Sequence, residues 1–284
     1  MKPVRISRLE SHLSIPIRML RSSVGADGDI LLSNATAFIW ECGGAWYLVT
    51  NIHNLSGWNH QENKAVSSRG SQPTHIEFQL CAVAADQVSG TSLLSRKGYR
   101  LPLYDDEQPK WLVHPVFQST VDVGILPICD APNEEDCNAV GVGRFATLAV
   151  NCHKWDIFDL AAGDDAFVLG FPKGMNAIGF PIWKRASIAT EPDIDLDGLP
   201  KLLLDTATRE GMSGSPVIGI RRGITNPSGS FGSDSIIGES IQFVGIYSGR
   251  IGDDPLGVQL GIVWKSSVID EIIEGNVHGE MPWG

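Results

Sequence analysis

Three short stretches carry residue types suited to nucleophilic chemistry. The first is Arg209-Glu210-Gly211-Met212-Ser213-Gly214-Ser215-Pro216, a serine between two glycines with a proline close behind. Leu202-Leu203-Leu204 precedes it and Val217-Ile218-Gly219-Ile220 follows, which predicts a tight turn between two buried strands. Glycines let the backbone curl until N–H groups converge on one point, and a strand on each side holds that point still. Gly, Ser and Pro also dominate ordinary turns, so a nucleophilic serine needs partners elsewhere.

The second stretch is Ala45-Trp46-Tyr47-Leu48-Val49-Thr50, read as a strand, followed by Asn51-Ile52-His53. His53 is expected at the end of that strand, held in place yet able to reach a cleft. A loop histidine without a role is the competing reading. The third is Val121-Asp122-Val123-Gly124-Ile125. Val121, Val123 and Ile125 share one face at period two, and Asp122 points the other way. A carboxylate within an apolar strand is costly to bury unless it is paired, and a histidine N–H would pair it. An exposed edge-strand aspartate is the alternative.

The rest of the chain must position these residues. At 284 residues it has ample length for a sizeable core. Its 31 glycines and 16 prolines imply many turns and short strands. Strands are expected over residues 13–20, 35–40, 45–50, 75–83, 110–115, 121–128, 166–171, 181–190, 201–206, 217–220, 241–249 and 256–264. Residues 130–142 read as a link between halves, and 221–240, rich in Gly, Ser and Asn, as a mobile loop. Near the end the period changes. Val268, Ile269, Ile272 and Ile273 fall on one helical face with Ser266 or Ser267 as cap, and the tail after Gly275 reads as loose.

Net charge is −11, which argues against non-specific nucleic-acid binding and against anionic membranes. Five cysteines without a CxxC pair are neither a disulfide framework nor a zinc motif, and they read as buried free thiols in a reducing compartment. The first residues lack the apolar segment of a signal peptide, and no apolar run reaches membrane-spanning length. The expected location is the cytoplasm. His53 and His60 are seven apart without supporting carboxylates, so neither a metal nor another cofactor is expected.

His53, Asp122 and Ser213 occur in the order of one known Ser-His-Asp solution. Leu48-Val49-Thr50-Asn51-Ile52-His53, Asp122-Val123-Gly124-Ile125-Leu126 and Gly211-Met212-Ser213-Gly214-Ser215-Pro216 together resemble the motifs of chymotrypsin/trypsin-like serine peptidases. Trp111-Leu112-Val113-His114-Pro115 and Gly170-Phe171-Pro172 are similar to the bacterial trypsin-like branch. The likeness spans roughly residues 15–273. An α/β-hydrolase fits worse, because position 215 is serine and only His278 follows Ser213.

The resemblance implies an all-β fold of two six-stranded antiparallel β-barrels with a C-terminal helix. Residues 1–135 would carry His53 and Asp122, and residues 136–284 would carry Ser213. It implies a serine endopeptidase acting on protein or peptide, with Ser213 as nucleophile, His53 as base, Asp122 orienting it, and Gly211 and Ser213 N–H groups as oxyanion donors. The substrate site falls on Ala207, Glu210, Tyr247, Ser248, Gly249, Arg250 and Gly261, with Gly245-Ile246-Tyr247-Ser248 similar to the strand that pairs with substrate backbone. Ala207 at the pocket floor is not acidic, and Tyr247 would narrow the pocket, so a small or apolar side chain is expected. Met212 stands where the zymogen-activated branch has an aspartate, so no N-terminal activation is expected. Asn54 stands where many secreted members have a disulfide cysteine. The alternative is a latent or non-catalytic scaffold on the same fold, used with an activating protein partner.

Overall fold

The computed structural model describes residues 8–22, 28–68, 70–85, 92–128, 148–156, 158–175, 179–207, 209–225, 232, 235–251 and 259–281. The expected link over 130–142 lies outside them. The chain is mostly β. Its first strands are β1 (Ser14–Arg21), β2 (Ile30–Cys42), β3 (Ala45–Thr50), β4 (Trp58–Asn59), β5 (Lys64–Ala65), β6 (His75–Ala85), β7 (Ser92–Pro102), β8 (Tyr104–Asp105), β9 (Gln108–Pro109), β10 (Leu112–Val113) and β11 (Gly124–Pro127). Then follow β12 (Asp165–Gly170), β13 (Ile182–Ile188), β14 (Lys201–Asp205), β15 (Pro216–Thr225), β16 (Ile236–Arg250), β17 (Leu260–Lys265) and β18 (Val277–His278). The α-helices are α1 (Ile52–Ser56) and α2 (Ser267–Gly275).

Strands β12-β13-β14-β17-β16-β15 close into a barrel. The earlier strands do not form the expected six-stranded twin. Seven of them join the C-terminal β18 in an eight-stranded sheet, in the order β18-β10-β11-β3-β2-β1-β6-β7, whose edge strands are not paired together among the described residues. Between β7 and β10 the chain turns back on itself, with Tyr104 opposite Pro109, instead of pairing across the gap. The strand pairings are antiparallel, as hairpin connections allow.

Several local expectations are corrected. β7 falls where only a loop with some strand character was expected, and it pairs with β6 along its length. β15 and β16 extend into the region read as glycine-rich loop, pairing as far as Thr225 with Ile236. The tail after Gly275 is not loose: Val277 and His278 pair with Val113 and Leu112. This two-residue strand was invisible to periodicity because it is shorter than one repeat of a helix or two of a strand. The exposed Cys42 and Cys152 are free but not buried.

One apolar cluster lies within the sheet, where Ile17, Ile39, Leu48 and Phe78 pack. Another fills the barrel, around Val168, Leu204, Met212, Val217 and Tyr247. A third joins the two, with Phe38, Val49, Val123 and Ile125 from the sheet meeting Phe243, Ile246 and Trp264. Helix α2 buries Val268, Ile269 and Ile272 in this third cluster, the face expected from its spacing. Trp40 Nε1 donates to Asp270 at 3.0 Å, and His114 Nε2 bonds Glu271 at 2.8 Å, so the helix is tied to the sheet as well. The burial of apolar surface between sheet and barrel fixes the two against each other.

Candidate active site

His53 does not end a strand. It lies in α1, the single helical turn that β3 enters through Asn51, and its side chain is 11% exposed. Asp122 lies just before β11 rather than within a strand. The expected burial still holds, since Val121, Val123 and Ile125 are fully buried around it. His53 Nδ1 is 2.6 Å from Asp122 Oδ2. A carboxylate accepts, so Nδ1 carries the proton and Nε2 is left with its lone pair. The His53 N–H donates to Asp122 Oδ1 at 3.0 Å, and the Ser248 hydroxyl donates to Oδ2 at 2.5 Å. Asn51 Nδ2 donates to the Asp122 carbonyl at 2.6 Å. Three donors to one carboxylate offset much of the cost of burying it.

Ser248 reaches Asp122 because of a β-bulge. In the β16–β17 register Tyr247 faces Val263 and Gly249 faces Ile262, so Ser248 is the extra residue. A bulge of this kind re-aims one side chain without breaking the barrel.

The Ser213 turn is held from both halves. Thr36 of β2, fully buried, sits at its base. The Thr36 N–H donates to Ser213 O at 2.9 Å, and its hydroxyl donates to Gly211 O at 2.8 Å. The same hydroxyl accepts from Phe171 N–H at 3.1 Å, and Thr50 Oγ1 donates to Thr36 O at 2.8 Å. Asn54 Nδ2 donates to Thr50 Oγ1 at 3.0 Å and to Ser213 O at 3.4 Å. The Lys173 N–H donates to Glu210 O at 2.7 Å, which fixes the trans Glu210–Gly211 peptide and so the direction of Gly211 N–H. Gly211 and Gly214 have φ of +94° and +84°, and a Cβ on either would strike backbone, of Phe171 or Thr36 respectively.

The turn's N–H groups divide in two. Those of Met212, Gly214 and Ser215 donate to Arg209 O, Tyr247 O and Met212 O. Those of Gly211 and Ser213, the predicted oxyanion donors, make no bond among the described residues. Nor does any hydrogen bond among the described residues link the Ser213 hydroxyl to His53. Catalytic contacts of this type are often long before substrate arrives.

His53, Asp122 and Ser213 line one cleft of about 490 Å³ together with Glu210, Tyr247, Ser248, Gly249 and Arg250. Asn59, Gln61, Glu62, Lys173 and Arg209 complete its described lining. Ala207 and Gly261 are not part of it. Ala207 is exposed rather than at a pocket floor, and Gly261 is buried against the Tyr247 ring. Tyr247 is 1% exposed, so its ring closes the space where a deep pocket was expected. His60 stands near the pair. Burial pushes its imidazole below the ordinary value, while the charge of Asp122 works the other way. Among the described residues no group of three His, Cys, Asp or Glu is arranged to hold a metal.

Thr36, Asn51 and Lys173 were not anticipated. A threonine inside an apolar strand looks like any β-branched residue, and Lys173 acts through its backbone, which no side-chain pattern reports. Compared with models of protein families and with curated proteins, the chain matches none. No helix among the described residues is long and apolar enough to cross a membrane.

Proposed function

We propose that the chain is a serine endopeptidase of chymotrypsin-like architecture, residues 1–135 and 136–284 forming one peptidase unit in which the eight-stranded sheet takes the place of the first barrel and the closed barrel carries Ser213. One observation carries the reading: an aspartate-bound imidazole shares a cleft with a serine whose turn keeps two N–H groups unpaired. Ser213 Oγ attacks the scissile carbonyl carbon as its proton passes to His53 Nε2. The carbonyl π pair moves onto oxygen, held by the N–H groups of Gly211 and Ser213. Collapse breaks the C–N bond, and the amine leaves with the proton from His53. Water, deprotonated by His53, then cleaves the acyl-Ser213 ester, and Asp122 stays ionised throughout. Each oxyanion donor contributes about 3 kcal/mol in such a site.

Met212 is 1% exposed in the barrel's apolar core. The turn therefore rests on packing, and no new N-terminus is needed to order it. The free thiols of Cys42 and Cys152 fit a reducing compartment such as the cytoplasm, and the motifs resemble a bacterial branch. Neither nucleic acid nor membrane has a part in this reading.

A fluorophosphonate label tests it. Wild type is expected to take the label on Ser213, and Ser213→Ala and His53→Ala to lose it. Folded wild type that stays unlabelled would overturn the proposal. A latent or scaffold form, used with a partner, is the second reading. The missing Ser213–His53 hydrogen bond favours it, and labelling that appears only after a partner is added would support it.

A further inference from the structure

Most described arginine side chains are neutralised. Arg8 and Arg222 pair with Glu239, Arg18 with Glu77, Arg100 with Asp29, Arg185 with Asp165 and Arg221 with Asp164. Of the exceptions, Arg21 lies at the end of β1 and reaches only the Gln72 carbonyl, and the others line the cleft. Arg250, Arg209 and Lys173 line it with Ser213, and none has an ion-pair partner among the described residues. This occurs in a chain of net charge −11, where carboxylates are the commoner ion.

The cleft's own acids do not cancel the three cations. Asp122 is committed to His53 and Ser248. Glu62 is held by Lys64 at 2.9 Å. That leaves Glu210 against Arg250, Arg209 and Lys173. Arg250 is the best placed, two residues beyond Ser248 and next to Gly249 on the wall that contains Ser213. The neighbouring deep space is filled by the Tyr247 ring. A side chain beside the reacting bond therefore ends among cations near the surface of the cleft, not in an apolar hole.

We infer that the cleft takes an acidic peptide, with a Glu or Asp side chain beside the scissile bond meeting the Arg250 guanidinium. This rests on the endopeptidase reading for the cleavage but not for the binding. It replaces the sequence-based expectation of a small or apolar side chain. A guanidinium fork matches a carboxylate in shape as well as charge, and Arg209 and Lys173 add attraction at longer range.

The test uses fluorogenic peptides identical except for Glu, Asp, Gln, Leu or Lys at one position. Wild type is expected to cleave after Glu or Asp with kcat/KM at least about tenfold above Gln, since a charge-assisted bond is about twice as strong as a neutral one. Arg250→Ala should collapse that ratio, lowering kcat/KM for the Glu and Asp peptides by at least about tenfold more than for the Gln peptide. Salt should shrink the ratio, because these groups are partly exposed. In parallel, the Glu and Gln peptides, labelled with a fluorophore, are titrated into Ser213→Ala and into Ser213→Ala/Arg250→Ala, followed by anisotropy. Tighter binding of the Glu peptide that depends on Arg250 supports the inference even if wild type resists fluorophosphonate and cuts nothing. In that case only the endopeptidase reading falls. Cleavage that is fastest after Leu or Lys overturns the inference and leaves the endopeptidase standing. No acid preference in either assay overturns it as well. Circular dichroism of each variant guards against loss of fold.

Discussion

The sheet and the barrel contribute to the cleft in opposite ways. On the sheet side, Asp122 receives three hydrogen bonds and its own carbonyl a fourth, so its carboxylate and the His53 ring have one arrangement available. On the barrel side, the Ser213 turn is clamped at its carbonyls, by Thr36 and Lys173, while Gly211 and Ser213 N–H stay open among the described residues. Under the proposed reaction, the groups that must keep their place are saturated, and those that would meet a transient charge are left unpaired. An unpaired N–H is costly where water is excluded, and it survives here because the cleft is open. In that reaction, preorganisation would reside in the clamped carbonyls as much as in the His53–Asp122 pair.

The sharpest way to break the sheet side is Asp122→Asn. The amide keeps the shape, but its NH₂ can donate to His53 and so favour the wrong tautomer. The expected loss in kcat is about 10⁴-fold, with KM little changed and the fold intact. Pre-steady-state kinetics on the peptides above would measure it. A loss under about tenfold would mean that His53 is oriented by something other than Asp122.

The barrel side is probed through Thr36→Val. The shape is kept, yet Gly211 C=O and Phe171 N–H both lose their partner in a buried place. The expected cost is about 2 kcal/mol of stability, or a fall of roughly 5 °C in Tm for a chain of this size. A looser turn should also lower kcat by about tenfold with KM little changed. Thr36→Ser restores the hydroxyl and should recover most of kcat, which a purely structural role in β2 would not require. Equal kcat in the Val and Ser variants would show that the turn does not depend on this clamp.

How much of this was written in the sequence differs between the same two regions. His53, Asp122 and Ser213 were legible because strand, glycine and apolar patterns act over a few residues. The helix α2 was legible because its apolar residues recur at a helical period. Their meeting was inferred from order and resemblance rather than from pattern. The clamps were not legible at all. Thr36 lies 175 positions from Gly211, and a contact at that separation leaves no local signature. Ser248 was expected near the substrate, but its bond to Asp122 depends on a bulge that only the β16–β17 register reveals. The closed barrel was expected. The strand β18 was not, because two residues are too short to show a period.

The seam between sheet and barrel offers the smallest and most selective test. His12 precedes β1 and meets Phe180 edge-on, their rings 5.1 Å apart. Its Nδ1 is buried without a partner, and burial lowers its affinity for a proton below the ordinary histidine value. The unfolded chain then binds the proton more readily than the folded one below about pH 6.5, so stability is lost as pH falls through that range and is constant above it. His60 and His75 are lowered by burial too, so the pH dependence of wild type alone is not specific to the seam. The difference between wild type and His12→Gln isolates it. Thermal melts at pH 7.5 and pH 5 should show wild type losing a few degrees more than the variant on acidification. If the two lose the same, protonation at the seam does not separate sheet from barrel, and the shared apolar cluster of Phe38, Phe243 and Trp264 and the Thr36 hydrogen bonds hold the pair together at both pH values. If wild type does lose more, acid should also slow labelling of Ser213 more than in His12→Gln. The Thr36 clamps cross the same seam, so a sheet that shifts on the barrel would disturb the turn they hold.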